Sequence, residues 1–227
     1  MRPPGRSATM GPMRIGTWNM DGRTGPQHAE LLTEQDCDVW LLTEVPERLD
    51  VPGYVLHLGE TVLGPRKRWA GILSRRTTAP VADPHPASAA AEIAGRTYVS
   101  SVLPWNGCGE HWPWDGPAPA AKTAEALRVL TMGLSGKALV WGGDWNHGLG
   151  GPEDIGTLAG RESLRTALDA MDLQVPTSGL PHRLSGLETI DHIAVPRSGV
   201  VVSAHRISTI VDGRALSDHD AYVVEIA

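Results

Sequence analysis

"ALVWGGDWNHG" (residues 138–148) runs a short apolar stretch into two glycines, then sets Asp144 and Asn146 on either side of a tryptophan. Ala138 through Trp141 read as a strand buried on both faces, because a run this short bounded by turn formers leaves no polar face for water. The polar pair after the glycines has two readings. Asp and Asn after Gly-Gly are ordinary turn residues whose short side chains bond nearby backbone N–H groups. In an extended chain, however, positions two apart point to the same side. A carboxylate and an amide would then converge on one bound group, such as a Mg²⁺ ion or a phosphate with its water. The rest of the chain has to decide.

Working outward, "AAKTAEALRVLTMGL" (120–134) has Ala124, Leu127, Leu130 and Leu134 at helical spacing and leads into that strand, and "GRESLRTALDAMDL" (160–173) predicts a second helix after it. Toward the N-terminus, "MRIGTWNM" (13–20), "PQHAELLTEQ" (26–35) and "CDVWLLTEV" (37–45) form a strand–helix–strand opening. "RWAGILSRR" (68–76) and "RTYVSSVLP" (96–104) are further strands, and the Pro- and Ala-rich connection at 79–95 has no assignable structure. "ETIDHIAVP", "GVVVSAHRIST" and "HDAYVVEIA" close the chain as three strands. Strands at both ends with helices between them predict a layered α/β (α+β) domain.

The 227 residues, 41% hydrophobic, suffice for one domain with a proper core, expected over 13–227. A formal net charge of −6 argues against a broad basic face that coats nucleic acid, while leaving room for a local basic site. Cys37 and Cys108 lie far apart without metal-ligand spacing, so neither a disulfide framework nor a zinc site is indicated. The leader over 1–12, "MRPPGRSATMGP", lacks the apolar stretch of a secretory signal and reads as a disordered tail. No segment approaches the roughly 18 apolar residues of a membrane span, so a cytoplasmic location is expected. Oligomeric state is left open. Without phenylalanine, the eight tryptophans must supply much of the aromatic packing.

Strand after strand ends on the same kind of residue. "TWNMDG" supplies Asn19 and Asp21, "LLTEV" Glu44, "GGDWN" Asp144 and Asn146, "TIDHI" Asp191, and "LSDHD" Asp218 and His219. Each alone has a plain explanation as a turn or surface residue. Together they point to one shared site, because charged groups in apolar strands carry a desolvation cost unless paired or metal-bound.

In this order the motifs resemble the endonuclease/exonuclease/phosphatase superfamily, and the resemblance runs from about residue 13 to the end. "WAGILSRR" and "LDAMDLQVPT" add to it. The resemblance implies the four-layered α/β/β/α sandwich of DNase I and a phosphoesterase that uses Mg²⁺, with Mn²⁺ as a substitute. It implies that Glu44 is the main metal ligand, supported by Asn19 and Asp21, with Asp218 reaching the metal or its water. Asp144 would orient or deprotonate the attacking water, and Asn146 would hold a phosphate oxygen or the nucleophile. His219, paired with Asp191, would stabilise charge on the scissile phosphate. The chemistry agrees, since a hard cation and a donor imidazole offset the charge that makes phosphoesters resist attack. His192 is the weaker imidazole candidate because its side chain should leave the opposite face of its strand from Asp191.

The pattern also departs from the family. A Tyr or His usual near the end of the 96–104 strand is replaced by Val102 or Leu103, with Asn106 or His111 as substitute donors. "PTSGLPHRLSGLET" has no aromatic residue, against the insertion of apurinic-site endonucleases, so a base-excision repair enzyme is not expected. "GPRKRW" (64–69) with Arg75 and Arg76 suits an anionic substrate, and Trp105, Trp112 and Trp114 in "PWNGCGEHWPWDG" (104–116) could stack on bases or close over a core. The expected substrate is a phosphodiester or phosphomonoester, a nucleic acid or nucleotide ahead of a sugar phosphate or lipid head group. Asn106, Arg75, Trp105 and His111 are its candidate contacts. The rival reading is a catalytically silent member that binds a phosphorylated ligand or a partner protein in the same cleft. A hydrolase with Ser74 or Ser217 as nucleophile is a third, but neither serine lies in a nucleophile-elbow sequence.

Overall fold

The computed structural model describes residues 12–134, 136, 138–150 and 155–227. The expected disordered leader therefore lies, except for its last position, outside the described residues. Numbered along the chain, one sheet takes β1 (Met13–Asn19), β2 (Val39–Pro46), β3 (Val55–Leu58), β4 (Val62–Gly64), β5 (Lys67–Ser74), β12 (Val201–Ile207) and β15 (Ala221–Ile226). The other takes β6 (Ala79–Pro80), β7 (Ser88–Ile93), β8 (Arg96–Ser101), β9 (Leu139–Asp144), β10 (Leu173–Gln174) and β11 (Asp191–Pro196). β13 (Ile210–Val211) and β14 (Arg214–Ala215) pair as a separate hairpin, and the helices are α1 (Pro26–Glu34), α2 (Pro119–Leu134) and α3 (Leu158–Ala170).

Because side chains alternate along each strand, every central strand supplies two cores. Ile15, Leu41, Ile72, Tyr98, Val140 and Ile193 fill the space between the sheets. On the outer face of the first sheet, Leu31 and Leu32 of α1 pack on Trp18, Trp40 and Leu42. Leu127 and Leu130 of α2 and Leu164 and Leu168 of α3 pack with Val99 and Trp141 on the outer face of the second. The result is the four-layered α/β/β/α sandwich of the DNase I type. Trp18, Trp40, Trp141 and Trp145, all fully buried, occupy places that phenylalanine would otherwise fill.

Three local expectations change. The connection at 79–95 holds the exposed edge strand β6 and the Ala-rich β7, which has weak strand propensity but is buried between its neighbours. The 96–104 strand stops at Ser101. The two glycines of the opening stretch are not a turn: Gly142 and Gly143 lie inside β9. A Cβ at Gly142 would come within 2.5 Å of His192 O, and one at Gly143 within 2.2 Å of Ser101 O. Close backbone approach, together with φ +125 at Gly143, requires glycine there.

Strand direction gathers the motifs at one edge of the sandwich. β1 and β2 are parallel and end at Asn19 and just beyond Glu44, while β5 runs antiparallel and starts there with Lys67. β11 runs antiparallel to β9, so Asp191 at its start lies directly across from Asp144. β15 runs antiparallel to β1, which brings the preceding Ser217–Asp220 segment to the same edge.

Candidate active site

Asn19 connects the two sheets. Its Nδ2 donates to Glu44 Oε1 at 3.3 Å and to Asp144 Oδ2 at 3.0 Å, and its Oδ1 accepts the Asp21 N–H at 3.0 Å. Glu44, Asp21 and Asn146 all have left-handed backbone, with φ 49, 51 and 52. Asp and Asn tolerate this region, but for Glu44 it is strain of the kind stored where a side chain must be aimed. The loop after β1 is clamped to β2 by Met20 N–H to Thr43 O at 3.0 Å and Gly22 N–H to Glu44 O at 2.8 Å. Asp21 faces Arg23 at 2.7 Å, and Asp218 is exposed on the loop before β15.

Asn146 corrects the period-2 expectation. It lies beyond the end of β9, its N–H bonds Asp144 Oδ1 at 3.1 Å as in a turn, and its Nδ2 donates to Leu103 O at 3.0 Å. The turn reading holds: the Asn146 backbone N–H, not its amide, meets the Asp144 carboxylate, and the amide is turned to Leu103 O.

The drier half of the edge holds Asp144, Asp191 and His219. Two carboxylates paired across antiparallel strands repel unless a cation separates them. His219 lies between them, with Nδ1 at 2.7 Å from Asp191 Oδ2 and Nε2 at 4.0 Å from Asp144 Oδ2. Burial alone would lower the imidazole pKa, but the charges of Asp191 and Asp144 outweigh it and hold the ring protonated above its usual range. Burial pushes the Asp144 carboxyl the other way from most paired acids, above the usual carboxylate range, opposed by the His219 charge. His219 is anchored from behind by Trp18 Nε1 on its carbonyl at 3.3 Å.

Ser217, which the sequence offered only as a weak nucleophile, is a brace. Its buried Oγ donates to Asn19 O at 2.6 Å and accepts the His219 N–H at 3.1 Å, tying the last motif to the first. Ser74 lies at the other end of the sheet, its Oγ accepting the Arg76 N–H. His192 points away from Asp191, as expected, with Nε2 at 2.9 Å from His147 O. His147 is buried against the N-terminal turn of α3, where glycines at 156 and 160 leave room for its ring.

Arg75 does not reach this edge. Ser74 pairs with Val39, the start of β2, so Arg75 emerges at the opposite end of the sheet, bonded to Asp36 at 2.6 Å and lying 5.0 Å over the Tyr54 ring. The 104–116 loop does start at the site, since Leu103 N–H bonds Asp144 O at 3.0 Å. Within it Trp105 packs edge-on against Trp112 and Trp114, His111 lies 4.4 Å from Trp112, and Asn106 donates to Gly156 O at 3.0 Å. Val102 and Leu103 are buried. A cavity of about 430 Å³ is lined by Trp69, His111 and Trp112, and one of about 600 Å³ beside His219 by Arg23, His182 and Arg183. An apolar groove of about 560 Å³ between α2 and α3 lies apart from these residues.

The donor set fits a hard divalent cation. Glu44, Asn19, Asp21 and Asp218 offer only oxygen, and a Lys67 ammonium already rests on Glu44 Oε2 at 2.6 Å, so this carboxylate is built to face positive charge. Among the described residues Glu44, Asp21 and Asp218 are not drawn together as closely as Asp144, Asp191 and His219, whose ligand atoms lie within 4.8 Å of one another. Those atoms, however, are already engaged with each other and with Asn19.

A sandwich of this topology is the DNase I-like fold. Among solved structures the chain is similar to a 3′ phosphatase from Neisseria, NExo, bound to product DNA hairpin, with TM-score 0.71 and 20% identity over 95% of this chain and 99% of that one. It is similar also to an AP endonuclease from Archaeoglobus fulgidus, with TM-score 0.68 and 17% identity over 93% and 98% of the two chains. An endonuclease/exonuclease/phosphatase from Beutenbergia cavernae gives TM-score 0.64 and 16% identity over 95% and 71%. At these identities the likeness is one of fold, and at that level the resemblance read from the motifs holds. No family model and no curated protein matches the sequence.

Proposed function

We propose that the protein is a divalent-metal-dependent phosphoesterase in which water attacks phosphorus in line with the leaving oxygen. The observation that carries the reading is the hydrogen-bonded chain Glu44–Asn19–Asp144 facing the Asp191–His219 pair across one edge of the fold. Glu44, with Asn19, Asp21 and Asp218, would hold Mg²⁺ or Mn²⁺. The bound ion supplies positive charge to the phosphoryl oxygens as negative charge shifts in the transition state. Asp144, whose carboxyl is made more basic by burial, takes the proton of the attacking water. Asn146 orients that water or a phosphoryl oxygen from its turn. His219 donates Nε2–H to the phosphate, and Asp191 fixes its tautomer and charge.

Nucleic acid is the favoured substrate. The Neisseria neighbour is named as bound to a DNA hairpin and the Archaeoglobus neighbour as an AP endonuclease. In this chain the cavity lined by Asp218 and His219 also bears Arg23 and Arg183. The described residues contain no helix long and apolar enough to cross a membrane. The test is a hydrolysis screen with Mg²⁺ and with EDTA, covering single- and double-stranded DNA, 3′-phosphorylated DNA, RNA, nucleotides, sugar phosphates and a chromogenic bis-ester. Turnover that EDTA abolishes is expected. A properly folded protein that binds these ligands without turnover would instead support the silent reading, which the buried Val102 and Leu103 favour.

A further inference from the structure

Of the three consecutive cations in the β4–β5 hairpin, one turns into the site. Arg66 is exposed at the tip, and Arg68 turns away to Glu47 Oε1 at 2.8 Å and to Glu60 O. Lys67 sends its ammonium to Glu44 Oε2 at 2.6 Å, and each of these two side chains is 28% exposed. Its route there is built into the backbone. The Lys67 stem crosses the loop after β1 at Gly22, where a Cβ would lie 2.6 Å from Lys67 Cδ. Gly22 is held in place by its own N–H on Glu44 O at 2.8 Å. An ion pair and a gap shaped for its stem are independent signs that this lysine belongs on this carboxylate.

Two cations cannot share Glu44 at contact distance without strong repulsion. A lysine suits a place it must vacate, since its charge is a point on a flexible four-carbon stem. We propose that Lys67 is the resident counter-ion of Glu44, displaced when a divalent cation loads, and that the released ammonium then serves a phosphate oxygen of the substrate. The same residue thus sets metal affinity and, once loading has freed it, phosphate affinity. This rests on Glu44 being a metal ligand, and the experiment separates the two claims.

Mn²⁺ alone is titrated by calorimetry into the wild-type chain and into Lys67→Met, Lys67→Gln and Glu44→Gln variants, each first checked for folding by circular dichroism. Lys67→Met should bind Mn²⁺ roughly tenfold tighter, because the competitor is gone. Lys67→Gln, which removes the charge and keeps a polar stem, should shift the same way and serves if Lys67→Met fails to fold. Inorganic phosphate, titrated next, should bind Lys67→Met more weakly than wild type in the presence of Mn²⁺. Without Mn²⁺ the two should bind phosphate alike. Unchanged or weaker Mn²⁺ binding in Lys67→Met overturns the proposal, and so does a phosphate affinity indifferent to the lysine in the loaded protein. If Glu44→Gln binds Mn²⁺ as wild type does, the metal assignment itself fails. If Glu44→Gln loses Mn²⁺ while Lys67→Met matches wild type, only the role of the lysine fails.

Discussion

The part of the candidate site around Glu44 is wet and the part around Asp191 is dry. Glu44 and Lys67 face each other with over a quarter of each side chain exposed, whereas the side chain of Asp191 is 1% exposed and that of His219 15%. An exposed ion pair is weak and exchangeable, because water screens it. A buried one is fixed, because separating its members strands a charge in low dielectric. The difference assigns work: the wet half can trade one cation for another, and the dry half can hold proton positions that water would otherwise scramble. Asn19 joins them with one amide nitrogen.

The largest effect expected from breaking this division is in the dry half. Asp191→Asn or His219→Ala should each lower kcat by on the order of 10²–10⁴, the range of positioned acid–base groups. The double variant should be little worse than the worse single one, because the two act as a unit. Steady-state kinetics on the best substrate of the screen decide this, and losses that multiply would mean that the 2.7 Å contact does not couple the two chemically.

In the wet half, Glu44→Gln should leave the fold intact and weaken Mg²⁺ binding by more than the roughly 10–100-fold typical of supporting residues around a metal. Calorimetry measures it directly. A variant that binds Mg²⁺ normally would move the metal to the Asp144, Asp191 and His219 cluster and erase the contrast between the halves.

Dryness continues behind the catalytic edge and predicts a pH dependence of stability. Burial lowers the pKa of His192 and of His85 from 6.5 to about 4. Between these values the unfolded chain binds the protons that these two folded rings refuse, so their contribution to stability is full above pH 6.5 and is lost as pH drops toward 4, while the raised pKa values of Asp144 and His219 act in the opposite sense. Each histidine contributes up to about 3 kcal/mol of that loss. Denaturant melts of the wild type and of His192→Gln, which keeps a donor for His147 O, at about pH 7.5 and 4.5 test it: the variant should lose less stability over that interval than the wild type does. A variant whose pH dependence matches that of the wild type would mean that the His192 ring protonates without unfolding.

Much of the fold was legible because its strands are apolar runs of ordinary length and its motifs fall at their ends. The Ala-rich β7 was not, since alanine carries no strand signature and only tertiary burial makes it one. Gly142 and Gly143 misled for a related reason: glycine marks turns and close backbone contacts alike, and only the neighbour at 2.2 Å tells them apart. The polar residues that meet at the edge could be picked out one by one, since each interrupts an apolar strand. Their braces could not, because Leu103 O and Gly22 N–H are backbone atoms that every sequence contains, and the Ser217 hydroxyl meets a backbone carbonyl that its own motif does not name. Arg75 shows the limit of charge counting. It is a few residues from Lys67 in sequence, yet the strand between them carries it to the opposite end of the sheet.

That same geometry sharpens the smallest prediction, which concerns the basic hairpin. Arg68 is committed to Glu47 and Glu60, and Lys67 to Glu44, so only Arg66 is presented to an approaching polyanion. It sits at the tip with φ 58, its carbonyl accepting the Glu47 N–H at 3.0 Å, which holds the turn whatever the side chain. One phosphate contact adds roughly 0.7–0.9 to the salt slope of nucleic-acid binding. Arg66→Ala should therefore raise KM for an oligonucleotide a few-fold at low salt, flatten its salt dependence by about one contact, and leave kcat unchanged. On a chromogenic bis-ester, which has no flanking phosphate, the variant should match wild type. Equal losses on both substrates would mean that the hairpin acts on the chemistry itself, through Lys67, and that the wet half cannot be divided into a loading lysine and a steering arginine.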